Sequence, residues 1–419
     1  MSSHINYEGG DITFLTIKRN NTLCIKKTDK NNSITKYRTT KYFNNETIIS
    51  TISKIIDDCI TNNAPIKEIY FSENDIDSKF VTIIIDIISN YSITEIYFTN
   101  NEICVNGIKT ILIAIKNNLL ITHISFYENN FYEYNQIDSY FLDDNNHIDD
   151  HQIKTIINKN SSIIEFTFCN NNVNSCRLFT IVEVLKNNNL ITHLDITHNR
   201  FDSIVITDII KTLEDNTSIT YVNLCCNIIS LNGILAISDV LKYNTTITYL
   251  DIADNDISLE GVNYIAEGIK CNSTITYLNL ANNNIDANGA KYIAESLQNN
   301  SIITNLNIAC NNIGPDGVKY IANIIEYTKS FTYFNFACND IGSDGIYTIS
   351  RALKYNSSIT HLHIACNLLD SDALTIIINS ISRKIIYLDI SENDIKNYRS
   401  INFAIKLVKR KNPNIWIKY

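Results

Sequence analysis

Proline and glycine are scarce in this sequence, 3 and 11 residues out of 419, while Asn, Ile, Lys and Tyr abound. That bias is what an AT-rich genome leaves, such as a protist's or a large DNA virus's, and it speaks of codons more than of chemistry. No apolar run reaches the length of about 18 residues that a spanning helix needs, so no membrane is expected as a partner. Met1 to Gly10 holds no basic stretch followed by an apolar one, so no secretory signal is expected. With 11 cysteines and no such signal, the thiols are expected to be reduced, in an intracellular, cytoplasmic setting (the host cytoplasm if the source is viral). Positive charge is not in excess. The formal net charge of −9 argues against a nucleic-acid backbone as the main partner. Neither G-x-x-x-x-G-K-[ST] nor G-x-S-x-G is present, and no G-x-G-x-x-G stands in the right setting. Catalytic residues, cofactors and metal ligands are therefore assigned to none of the side chains, and the chain is not expected to be an enzyme.

What the sequence does have is a period. Ile247-Thr248-Tyr249-Leu250-Asp251-Ile252-Ala253-Asp254-Asn255-Asp256-Ile257, then Gly261, Ile265-Ala266 and Ile269, returns 28 residues later (247 to 275) as Ile275-Thr276-Tyr277-Leu278-Asn279-Leu280, Asn283, Ile285, Gly289, Ile293-Ala294 and Leu297. It returns again as Ile303, Leu306, Ile308, Asn311, Ile313, Gly317, Ile321-Ala322 and Ile325. Leu250 and Ile252 are two apart, so on a strand they share one side, with Tyr249, Asp251 and Ala253 on the other. After Asn255 the apolar spacing becomes that of a short helix. Each strand and helix has one apolar side that it cannot bury alone, so copies stack. Asn255 can serve backbone groups leaving the strand, and Gly261 is expected to let the helix start lie close to the sheet.

With Ile often replacing Leu, this pattern resembles the leucine-rich repeats of the ribonuclease-inhibitor type, a subclass that includes NOD-like receptors and the activating protein of the GTPase Ran. The resemblance covers about residues 63 to 400. It is carried by the asparagine that recurs at 74, 101, 129, 171, 199, 227, 255, 283, 311, 339, 367 and 393. It implies an α/β fold: a leucine-rich repeat solenoid, a right-handed β-α horseshoe with a parallel β-sheet on the concave face and helices on the convex face. It does not imply one activity. Two functions follow from it: a protein-protein interaction scaffold for unknown partners, working as a monomer, or a GTPase-activating protein similar to that of Ran.

Three regions depart from the period. Residues 1–62 read as an N-terminal cap, a strand pair (Ile12 to Lys18, Thr22 to Lys27) plus the helix of an incomplete repeat over 47–62. The array occupies 63–400, with an insert at about 130–150 that lengthens one asparagine step from 129 to 171. Insertions of this kind form loops that often bind, so Tyr132, Tyr134, Tyr140 and Phe141 are a candidate site. Residues 401–419 read as a C-terminal cap ending in a strand with Trp416.

Equal positions in successive repeats form columns on the concave face. Tyr221, Tyr249, Tyr277 and Tyr333 stand in one column; Asp195, Asp251 and Asn279 stand in the next. Tyrosine anchors protein interfaces through its large apolar area and polar tip, so these seven residues are the candidate partner-binding site. They are expected to point to solvent and to be unnecessary for stacking. Cys226, Cys310, Cys338 and Cys366 make another column, before the asparagine. A row suits tetrahedral zinc poorly, so small semi-buried residues in a crowded bend is the preferred reading. The segment from Asp143 to His151 lacks the glycine and glutamate of an EF-hand loop and reads as a solvated acidic loop.

Overall fold

The computed structural model describes residues 203–419 without interruption. Before them it describes residues 12–18, 22–28, 34–40, 68–72, 93–99, 111, 120–131, 164–173, 182, 185–186, 189–199 and 201. The chain divides into two compact units, Met1–Phe201 and Asp202–Tyr419.

In the first unit, strands β1 (Ile12–Lys18), β2 (Thr22–Thr28) and β3 (Ile34–Thr40) form an antiparallel meander. β1 also pairs in parallel with β4 (Glu68–Ser72). Parallel pairing continues through β5 (Glu95–Thr99), β6 (His123–Tyr127), β8 (Glu165–Cys169) and β10 (His193–Asp195). The short strands β7 (Asn130–Phe131) and β9 (Asn172–Val173) pair separately. His123 faces Glu165, and Asn130 faces Asn172. The long step between asparagines 129 and 171 thus leaves the strand register intact, as a looped-out insert requires. Beneath the sheet, the rings of Phe71, Phe98, Phe126 and Phe168 follow one another at 5.3, 5.2 and 6.1 Å. These phenylalanines hold the repeat position, three before the asparagine, that Leu224, Ile252 and Leu280 hold in the second unit. The expected helix over 47–62, the asparagines at 74 and 101, and the insert from residue 132 onward lie outside the described residues.

The second unit repeats strand and helix without exception. Helix α1 (Ser203–Thr212) precedes β11 (Tyr221–Asn223), followed by α2 (Leu231–Tyr243), β12 (Tyr249–Asp251), α3 (Leu259–Cys271), β13 (Tyr277–Asn279), α4 (Ala287–Leu297) and β14 (Asn305–Asn307). Then come α5 (Gly314–Tyr327), β15 (Tyr333–Asn335), α6 (Ile346–Tyr355), β16 (His361–His363), α7 (Ser371–Ser380), β17 (Tyr387–Asp389), α8 (Tyr398–Lys411) and β18 (Trp416–Lys418). Neighbouring strands are parallel and in register, Leu250 opposite Leu278 and Leu306 opposite Phe334. Within a repeat, Leu250, Ile252, Ile257, Val262, Ile265 and Ile269 are buried together. The helix starts are capped: Ser258 Oγ accepts from Gly261 N and Asp286 Oδ1 from Gly289 N.

Gly261 makes a closer approach than expected, and to a different neighbour. A Cβ there would come within 2.8 Å of Ile257 Cγ2 and 3.3 Å of Ile234 Cγ2. The glycine therefore admits the previous helix and its own turn, rather than bringing the helix onto the sheet.

The asparagine column forms a ladder. Asn283 Oδ1 accepts from Asn255 N (2.9 Å), while Asn283 Nδ2 donates to Ile252 O (3.0 Å) and Ala281 O (3.2 Å). Asn283 N in turn donates to Asn311 Oδ1. Each amide ties its own bend to the preceding one, which is why an apolar residue cannot take its place. A second asparagine column closes the helix-to-strand turns. Asn244 Nδ2 donates to Leu213 O, and its Oδ1 accepts from Thr246 N and Ile247 N.

Candidate functional site

Strand alternation puts the middle residue of each short strand inside and its two flanks on the outer face of the sheet. In the second unit Tyr221, Tyr249 and Tyr277 are register partners on β11, β12 and β13. Their rings stack with centroids 4.1 Å apart in both pairs and interplanar angles of 16° and 8°. That separation is closer than the strand spacing, so the rings lean together into one half-buried ridge. Burial raises the Tyr249 hydroxyl above its ordinary value, and the flanking Tyr277 and Tyr221 add to this; burial also raises Tyr277. The ridge presents neutral hydroxyls and ring edges rather than ring faces.

Asn305 on β14 ends the ridge. Beyond it a second aromatic group begins: Tyr333 lies 5.0 Å from His363, His363 lies 4.8 Å from Tyr387, and Tyr387 meets Trp416 edge-on at 4.9 Å. Trp416 is register partner to Tyr387. Sequence spacing could not assign it to this column, because β18 follows α8 without the asparagine that marks the other repeats.

The next column has a structural duty that sequence reasoning missed. Asp251 Oδ1 accepts from Ala253 N (3.0 Å), Asn279 Oδ1 from Ala281 N (3.1 Å), and Asn223, Asn307 and Asn335 repeat the bond. Asx side chains that bond the backbone two residues on turn the chain out of its strand. Asp251 is only 8 % exposed and also accepts from Asn279 Nδ2 at 2.8 Å. The expectation that this column points freely to solvent is corrected accordingly: its oxygens are half-committed to ending the strands. Asp195, on β10 of the first unit, behaves alike, accepting from Thr197 N and from Cys169 Sγ. On the same face of that unit, His123 Nε2 lies 3.2 Å from Glu165 Oε2, and Tyr97 donates to Glu95.

At β17, burial works to raise the Asp389 carboxyl. Hydrogen bonds from Ser391 Oγ and N, with Lys418 Nζ at 3.1 Å, outweigh it and hold the group below its ordinary value. Burial lowers the neighbouring His363, whose Nδ1 is 3.8 Å from Asp389 Oδ2.

The cysteine column has left-handed backbone, and Cys226, Cys338 and Cys366 are half-buried. Cys226, Cys310, Cys338 and Cys366 have φ between 51° and 56°, as do Asp254 and Asn282 at the same place. Cys310 is exposed, and the seven described cysteines are free thiols. Cys225 and Cys226 Sγ atoms lie 3.0 Å apart. No group of three metal-ligating side chains converges among the described residues. Tyr132, Tyr134, Tyr140 and Phe141 lie outside those residues.

Leucine-rich repeats are recognised at residues 243–266, 271–294, 299–322 and 329–350. Each match runs through a strand and into the helix after it, so the second unit is a leucine-rich repeat α/β solenoid. No curated protein sequence matches the chain. Among solved structures, an internalin from Listeria monocytogenes is similar at 13% identity and a TM-score of 0.47, over 85% of this chain and 80% of that one. A chain of the yeast Rad7 and Elc1 complex is similar at 10% identity and a TM-score of 0.46, over 74% and 72%. The tropomodulin C-terminal domain of Caenorhabditis elegans is similar at 18% identity and a TM-score of 0.31, over 36% and 92%.

Proposed function

We propose that this leucine-rich repeat chain is a non-enzymatic scaffold of the ribonuclease-inhibitor-like subclass that binds a protein partner through the outer face of its sheet. The observation that carries the reading is the stacked ridge of Tyr221, Tyr249 and Tyr277. A row of rigid aromatic edges, each with a hydroxyl, is the kind of surface on which interface energy concentrates. Asp251 and Asn279 lie beside it, and Tyr333 extends the aromatic surface on β15. Asp195 belongs to the first unit and is left out of the surface. In this proposal the chain works as a monomer in the cytoplasm, without cofactor or metal, and its partner is not nucleic acid.

The test is recovery of cross-linked partners from cells with a Tyr249→Ser, Tyr277→Ser double variant. The rings stack, so this variant is expected to lose about 1–3 kcal/mol of stability and must be compared at a temperature where it is folded. Recovery is expected to disappear, while Glu267→Ala with Glu295→Ala on the exposed helix surface leaves it intact. Recovery that survives the tyrosine changes but is lost on removal of residues 131–150 would transfer the site to the insert. Accelerated GTP hydrolysis by a small GTPase would favour the Ran-type function instead.

A further inference from the structure

Charge is unevenly spread along this chain. Residues 396–419 hold seven cations (Lys396, Arg399, Lys406, Lys409, Arg410, Lys411, Lys418) and no acid, which leaves 28 cations against 44 acids, or −16, for residues 1–395. The fold carries five of those cations on one helix. Helix α8 buries Ile401, Ala404, Ile405 and Val408. Directly opposite, at helical spacing, runs an exposed stripe of Arg399, Phe403, Lys406 and Arg410, with Lys409 and Lys411 beside it. Phe403 is 64 % exposed, and Tyr398 and Tyr419 are also exposed, whereas Trp416 stands with Tyr387 on the outer face of the sheet. The Tyr419 hydroxyl donates to Asn402 Oδ1 at 3.1 Å, which fastens the end of β18 along α8. Lys396 and Lys418 are paired with Asp394 and Asp389. The other five cations make no ion pair among the described residues.

Favourable contact with the helix dipole accounts for Lys409, Arg410 and Lys411 in the last turn. It does not account for Arg399 and Lys406, nor for the exposed rings of Tyr398 and Phe403 on the same helix. We propose that the exposed face of α8 is a surface that adsorbs to anionic lipid bilayers. The five unpaired cations face anionic headgroups, while Phe403 and Tyr398 enter the headgroup layer, where aromatic rings and long basic side chains are favoured. The face is a convex helix ridge, which suits a flat, deformable bilayer and does not need a partner shaped to it. A nucleic-acid duplex would use the same cations through its phosphates but, with its bases paired inside, would leave Phe403 without a role; a single strand, whose bases stack on aromatic rings, is an arm of the test. The −16 carried by residues 1–395 is repelled by the same lipids, so the chain would meet them with this end first. Adsorption of this kind is distinct from spanning, and no helix among the described residues is long and apolar enough to span.

The experiment uses the full chain with phosphatidylcholine vesicles, with and without one-third phosphatidylserine. Sedimentation is expected only with phosphatidylserine and is expected to be lost at high salt. The variant Phe403→Trp, Trp416→Phe moves the chain's one tryptophan onto this face. Its emission should shift to the blue on binding. The triple variant Lys406→Gln, Lys409→Gln, Arg410→Gln should bind about a hundredfold more weakly, since each cation contributes about fivefold near an anionic leaflet. All three side chains are exposed, and an unchanged melting curve will show that the variant is folded. Equal sedimentation with both vesicles, or binding of the Phe403→Trp, Trp416→Phe variant without a shift in emission, would overturn the proposal. So would tighter binding to a single-stranded oligonucleotide or a polyglutamate peptide than to the anionic vesicles.

Discussion

Replacing Asn283 by Leu tests the asparagine ladder directly. Asn283 is fully buried. The change removes three bonds: Asn255 N to Asn283 Oδ1, and Asn283 Nδ2 to Ile252 O and to Ala281 O. The losses are unequal. Ile252 O still accepts from Asn255 Nδ2, and Ala281 O still accepts from Asp254 N. Asn255 N, which is buried, is left with nothing to bond. An orphaned buried donor costs about 1–3 kcal/mol, and each weakened carbonyl about 0.5 kcal/mol. The expected total is about 2–4 kcal/mol, read as a lower urea midpoint followed by circular dichroism. Asn312→Ala is the control. Asn312 is exposed and its side chain reaches only Asn284 Oδ1 at 3.5 Å, so its loss should cost under about 0.5 kcal/mol. An Asn283→Leu midpoint indistinguishable from that of the control would refute the ladder as a source of stability.

Thr328 stands where Asn244, Asn272 and Asn356 stand in other repeats, with similar backbone angles, and its buried Oγ1 has no partner. Thr328→Asn should therefore stabilise the chain by about 1 kcal/mol, seen as a higher melting temperature. Burial depresses His363 from its ordinary 6.5, so on acidification the unfolded chain takes up that proton first. The stability His363 allows is present above about pH 6.5 and is lost as pH falls toward its folded value. His363→Asn should gain stability relative to the parent between about pH 7 and 5, and parallel stability-pH curves would contradict this. Among the seven described cysteines, exposed Cys271 and Cys310 should react first with a thiol reagent and Cys169 last, because Cys169 is the buried one and burial and then Asp195 push its thiol up to about 12. Elemental analysis of protein purified without chelator should find no stoichiometric zinc.

Repeat phase was open to reading from the chain alone, because it is a local property. Alternation around Leu250 and four-residue spacing after Asn255 each need only a few neighbouring side chains, and repetition at a fixed interval leaves one way to stack them. The interval also brought Tyr221, Tyr249 and Tyr277 into one column. What lay beyond it depends on contacts between repeats, which no single stretch encodes. The lean of the tyrosine rings to 4.1 Å, the neighbour that Gly261 admits, and the use of Asp251 to end a strand are all settled by what the adjacent repeat places alongside. Left-handed backbone at Cys226, Cys310, Cys338 and Cys366 was invisible for a related reason. The bend imposes that conformation on whatever residue occupies it, and cysteine carries no preference that would announce it. Trp416 shows the limit most plainly: only the packing of α8 sets β18 beside β17, and only that pairing makes a tryptophan near the end of the sequence a neighbour of Tyr387.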